Sequence, residues 1–216
     1  MPLVLIAALA AVIYLLRYCQ APAGWPKSAV KTLSVAALAC AAWLGDAPAA
    51  LTVALCLCAL GDYLLARDTD VTFLAGVGAF ALGHLAYVVL FLSTSGASAA
   101  ALTTPTGMVF TMFLLGYGAF MMWRLYCDAG PLRIGVMAYV PIILAMGLAA
   151  VCVPAHGALW LILPAAVLFM ISDSVLAADL FILRPDHPVR RITAYVIWAF
   201  YWLAQLGFWL AYMPPQ

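Results

Sequence analysis

Long apolar runs, broken at close intervals by short segments carrying Pro, Gly or charge, make up nearly the whole chain. The runs cover residues 2–17, 28–45, 49–66, 71–93, 106–126, 132–153, 158–180 and 192–212. A helix needs about 20 apolar residues to cross a bilayer, with ~17–25 tolerated. The pattern therefore predicts eight transmembrane helices. The breaks between them, such as Ala21-Pro22-Ala23-Gly24-Trp25-Pro26-Lys27 and Arg184-Pro185-Asp186-His187-Pro188, hold residues that end helices or prefer the interface. They are too short for a soluble domain. The expected fold class is all-α, a polytopic membrane protein with a single transmembrane domain over residues 1–216.

Composition agrees. Of the 216 residues 69% are hydrophobic and 8% charged, against about 25% charged in soluble domains. Glu is absent, the net charge is +1, and no run of basic residues forms, so no nucleic-acid partner is expected. The six Cys at 19, 40, 56, 58, 127 and 152 lack C-x-x-C spacing and read as small apolar fillers. The stretch Met1–Leu16 has no basic residues before it and no A-x-A-like exit, so it reads as a first span rather than a cleaved signal. All nine Lys and Arg flank the first, third, fifth and seventh connectors. Basic residues stay on the cytoplasmic side, which places the odd connectors inside and both termini outside.

An internal echo links Gly61-Asp62-Tyr63-Leu64-Leu65-Ala66-Arg67-Asp68, closing the third run, to Ser172-Asp173-Ser174-Val175-Leu176-Ala177-Ala178-Asp179, closing the seventh, at an offset of 111 residues. Two runs of the same direction with matching ends suggest a 4+4 parallel repeat about the membrane normal.

Ionisable groups within spans are costly and are functional candidates by default. Asp62, Asp173, Asp179, His84 and Lys31 are the ones here. At ~1.5 Å per residue, Asp173 lies ~15 Å from the cytoplasmic edge, Asp62 ~7 Å and His84 ~20 Å. Two carboxylates reached from one side can divide acid and base roles if their surroundings differ. They can equally be interhelical anchors, or one can pair with Lys31 in a structural salt bridge. His84 alone on an apolar helix also suits a packing donor. The other two His, His156 and His187, sit on opposite sides, so no metal cluster is expected. Ser172 lacks a G-x-S-x-G setting and reads as a packing residue. Tyr201 and Gln205, one turn apart at mid-membrane, share a face that suits a cavity, while Tyr87 and Tyr139 are further polar aromatics.

With these residues in place, the chain resembles the YhhN-like lysoplasmalogenase family of membrane proteins. The resemblance is carried by Gly61-Asp62, Ala79-Phe80-Ala81-Leu82-Gly83-His84-Leu85-Ala86-Tyr87, Ala138-Tyr139-Val140-Pro141, Phe169-Met170-Ile171-Ser172-Asp173-Ser174 with Asp179, and Tyr201-Trp202-Leu203-Ala204-Gln205. Thr32 follows Lys31 where the family is expected to have Pro. The resemblance implies hydrolysis of the vinyl-ether bond of lysoplasmalogens to a fatty aldehyde and glycerophosphocholine or glycerophosphoethanolamine, without a cofactor. It implies Asp62 and Asp173 as catalytic residues, in roles left open. Lys31, His84, Tyr139, Asp179, Tyr201 and Gln205 would bind the substrate, with Arg67 and Arg191 near its phosphate. The expected partners are a lysophospholipid and the bilayer, and the expected location is a bacterial inner membrane. The residues alone equally suit a proton- or cation-coupled transporter, or a purely structural lipid-binding protein.

The distribution of basic residues makes a direct prediction. Ala21→Cys in an otherwise Cys-free chain should resist impermeant thiol reagents in intact cells. Ready labelling there would reverse the orientation.

Overall fold

The computed structural model describes residues 2–67, 69–184 and 186–213. Asp68 of the echo, Pro185 of the seventh connector and the ends at residues 1 and 214–216 lie outside the described residues. Every regular element among those described is helical. The eight apolar runs become α1 (Pro2–Ile13), α2 (Trp25–Leu44), α3 (Ala49–Leu65), α4 (Asp70–Leu92), α5 (Pro105–Asp128), α6 (Arg133–Val151), α7 (Ile162–Ala177) and α8 (Arg190–Tyr212). A π-turn at Tyr14–Tyr18 extends α1, and another at Ala178–Ile182 extends α7.

Six of these helices, rather than eight, are clearly long and apolar enough to cross a membrane: all but α1 and α3. The reason is local. Pro48 starts α3 and the chain turns out at Ala66, leaving 17 helical residues, about 26 Å of rise against ~30 Å of hydrocarbon. Elsewhere the boundaries follow capping chemistry. The Thr69 hydroxyl accepts the Thr72 N–H at 3.2 Å and the Thr104 hydroxyl accepts the Gly107 N–H at 3.1 Å. Side-chain acceptors of this kind satisfy amides that have no partner within the helix. Pro26 and Pro105 sit in the first turns of α2 and α5, where a missing N–H costs nothing.

Helices pack in chain order, α1 on α2, α2 on α3 and α3 on α4, then α5 on α6, α6 on α7 and α7 on α8. Contacts of α4 with α6, and of α8 with α2 and α3, close the bundle. Lipid and helix surfaces are equally apolar, so close packing of small residues, not hydrophobicity, drives this association. The α3–α4 seam shows it. A methyl group on Gly61 would meet Phe80 Cδ2 at 2.6 Å, one on Gly76 would meet Leu65 Cγ at 2.9 Å, and one on Gly83 would meet Cys58 Sγ at 3.0 Å.

The connectors gather at two ends. At one, Gln20 Nε2 donates to the Arg191 carbonyl at 2.5 Å and the Arg67 guanidinium lies 4.2 Å from the Trp25 ring. At the other, the Ser98 N–H donates to the Cys152 carbonyl at 2.9 Å and Thr94 shares a 2.6 Å hydrogen bond with Tyr212. The two echoing segments do not share a local conformation: α3 ends at Leu65 as ordinary α-helix, whereas α7 runs on through a π-turn that carries Asp179. A fourfold-plus-fourfold repeat is not shown.

Gly61→Ala should destabilise the protein by about 1–3 kcal/mol, the usual cost of overpacking, because Phe80 is itself wedged against Phe169 and Tyr201. Gly78→Ala, where a methyl group meets nothing within 4 Å, should not. Thermal unfolding in detergent measures both, and equal melting temperatures would contradict the packing described.

Candidate active site

Asp62, in the last turns of α3, is fully buried. The Lys31 ammonium of α2 lies 3.1 Å from its Oδ1, and the Tyr201 hydroxyl of α8 donates to its Oδ2 at 2.7 Å. One carboxylate thus joins three helices. Lys31 also lies 5.9 Å from the Trp198 ring. Trp198 fastens α1 by donating its Nε1–H to the Ala11 carbonyl at 3.0 Å and by packing on Tyr14 at a centroid distance of 4.2 Å.

Asp173 of α7 has different company. The Tyr139 hydroxyl of α6 donates to its Oδ2. His84 Nε2 of α4 stands 4.0 Å from the same oxygen. The other ring nitrogen, Nδ1, is 2.7 Å from the Phe80 carbonyl. A carbonyl only accepts, so Nδ1 is the donor there. That leaves Nε2, buried and without a hydrogen-bond partner, turned toward the Asp173 carboxyl.

Both carboxyls line one cavity of about 240 Å³, together with Lys31, Tyr139, Tyr201 and Asp179. Its outer part is built from residues near the odd-connector end, among them Cys19, Leu180 and Ala194. Asp179 is held there by the Thr193 hydroxyl at 2.6 Å and by Arg190 at 3.3 Å. Toward the opposite end α4 and α8 pack through buried aromatics. Phe80, Tyr201 and Phe169 meet edge to face, and Tyr87, Phe91 and Phe208 stack beyond them.

Of the residues singled out from the sequence, Asp62, Asp173, Lys31, Tyr139, Asp179 and Tyr201 all reach the cavity wall. His84 and Gln205 stand behind it. His84 Nε2 stands 4.0 Å from the Asp173 carboxyl, and Gln205 accepts a hydrogen bond from the buried Tyr87 hydroxyl. Arg67 lies in a separate outer groove with Trp25 and Tyr63, hydrogen-bonded to the Tyr63 hydroxyl at 2.8 Å. Ser172 donates to the Ile197 carbonyl at 2.9 Å, tying α7 to α8. Three wall residues escaped the sequence reading. Tyr14 is, with Arg17 at the end, one of two polar side chains in the first run, Trp198 sits on the helix face shared by Tyr201 and Gln205, and Cys19 reads from the sequence as filler.

Lys31→Met would leave the Asp62 carboxylate buried without its cation, a loss worth up to ~3–5 kcal/mol in a closed site and less here, where Lys31 borders the cavity. Combining it with Asp62→Asn should recover most of that stability. Thermal unfolding in detergent decides it, and identical melting of single and double variants would mean that the pair carries no electrostatic load.

No curated protein and no solved structure matches the chain. A sequence model of the YhhN family matches residues 26–212, from the first turn of α2 to the end of α8. That range holds both carboxyls and all of their hydrogen-bonding and ionic partners, and it makes this chain a member of the YhhN family.

Proposed function

We propose that the chain is a membrane hydrolase that cleaves the vinyl-ether bond of lysoplasmalogens. The observation that carries this reading is the unequal pair of acids in one cavity. Asp62 has a cation and a hydroxyl donor, which favour the charged carboxylate. Asp173 also has a hydroxyl donor, Tyr139, but no ion-paired Lys or Arg among the described residues, and a histidine nitrogen 4.0 Å away takes the cation's place. Environments that set two carboxyls apart assign acid and base.

The reaction needs that division. Asp173 gives its proton to the alkenyl carbon one removed from the ether oxygen, leaving an oxocarbenium ion. The Asp62 carboxylate stabilises this cation, as paired carboxylates do in glycoside hydrolysis, and takes a proton from the water that adds to it. The resulting hemiacetal collapses as Asp62 returns that proton to the glycerol oxygen. A second proton passes from the hemiacetal hydroxyl to Asp173. One water is consumed, and a fatty aldehyde and a glycerophosphocholine or glycerophosphoethanolamine are released. Lys31, beside Asp62 on the cavity wall, is the cation available to the lipid phosphate, and Tyr139 and Tyr201 hold the two carboxyls in place.

In this reading all eight helices cross the membrane, α1 and α3 with local thinning or flanking polar residues making up the mismatch. The odd connectors are cytoplasmic and the cavity opens to that side of a bacterial inner membrane. The aromatic layers between α4 and α8 give the cavity a closed inner end, which suits a hydrolase better than a transporter.

The test is turnover by purified protein in detergent, with no gradient. Asp62→Asn and Asp173→Asn should each lose ~10²–10⁴-fold, the range of general acid catalysis, overlapping the ~10²–10³-fold of charge stabilisation. Asp179→Asn, already held by Thr193 and Arg190, should lose far less. Variants that melt like the parent yet keep more than roughly a tenth of its activity would refute the mechanism. A parent without activity would return the site to the transporter or structural readings.

A further inference from the structure

The acidic cavity is small for a lipid. At about 240 Å³ it falls below the ~300–1,000 Å³ of ordinary ligand sites, and a long hydrocarbon chain does not fit in it beside a headgroup. A second, almost wholly apolar space of about 510 Å³ lies between α5 and α7, walled by Phe110, Phe113 and Leu114 on one side and Val167, Met170 and Ile171 on the other. A third, narrow space of about 50 Å³ lies between the two, sharing Tyr139 and Asp173 with the acidic cavity, and Tyr117, Met170 and Ser174 with the apolar groove. The one hydroxyl in its α7 wall, Ser174, is turned to the Met170 carbonyl at 2.5 Å, so apart from Asp173 and the two tyrosines its lining is apolar.

We propose that the hydrocarbon chain of the lipid passes from Asp173 through this narrow space and lies in the α5–α7 groove, with α5 as the movable wall of a lateral opening to the bilayer. Three observations beyond the shared lining favour it. The helix α5 is the least buried of the six long helices and leans chiefly on α6, with a further contact on the π-turn after α7. The groove runs along α7 from Leu183 and Val189 at the odd-connector end to Val167, which precedes Asp173 by six residues, ~9 Å of helix rise. A lipid anchored at the odd-connector end can lay its tail along that length. The space between groove and acid is narrow, about 50 Å³, which fits a single hydrocarbon chain. The identity of that lipid rests on the hydrolase reading, whereas the place of its chain does not.

A lysophospholipid with a non-cleavable ether link and a diazirine at the methyl end of its chain tests this by binding alone. After irradiation in detergent, label should concentrate on residues 110–114 of α5 and 167–171 of α7, and Ile171→Trp should remove most of it. The same variant should raise KM for a long-chain substrate about tenfold, equivalent to about 1.4 kcal/mol. Label on α1 or α8, or spread evenly over lipid-facing residues, would overturn the proposal even if aldehyde is formed. Label confined to the groove in a protein that forms no aldehyde would uphold it and overturn the hydrolase reading instead.

Discussion

A carboxylate cannot be left alone in hydrocarbon, and most of what positions this site follows from that constraint on Asp62. Its side chain is fully buried, so its two oxygens must be satisfied by protein. Lys31 from α2 and Tyr201 from α8 supply the partners. Helices that have no hydrophobic reason to associate inside a bilayer are thereby fixed in register about one point. Buried pairs of this kind add little net stability but are costly to break. The arrangement therefore specifies geometry more than it strengthens the fold. The Trp198 contacts with Ala11 and Tyr14 extend the same point to α1.

The second acid gains its difference from what surrounds it. Tyr139 and His84 reach Asp173 from α6 and α4, and neither is a fixed cation. His84 owes its orientation to a backbone bond with Phe80, whose ring also fills the notch left by Gly61. Phe80 thus borders both sites, its ring beside Gly61 and its carbonyl on His84 Nδ1. The two acids share a packing neighbour as well as a cavity.

Much of this was legible in the residues. The eight helices follow from the spacing of apolar runs, and the two acids from the rarity of charge inside them. Tyr201 was legible because it shares a helical face with Gln205. Other features were not. Whether a 17-residue apolar helix such as α3 crosses a bilayer depends on its surroundings, which hydropathy does not encode. The echo between the α3 and α7 ends rests on four identities in Ala- and Leu-rich helices, and the π-turn at Ala178–Ile182 separates what the letters align. His84 and Gln205 lie on the right faces, yet whether such a residue lines a cavity or stands one layer behind it is decided by neighbouring side chains. Tyr14 reaches the wall only because α1 packs against Trp198, a long-range contact with no local signal.

The central claim is that a protein carboxyl protonates carbon before water attacks. Turnover of a lysoplasmalogen by the purified protein in D₂O, with the aldehyde trapped as it forms and its mass measured, tests this most directly. The account predicts a single deuterium on the carbon next to the aldehyde, together with a normal solvent isotope effect on turnover that reports proton transfer to carbon in the slow step. Aldehyde without that deuterium, or turnover indifferent to the solvent isotope, would contradict it.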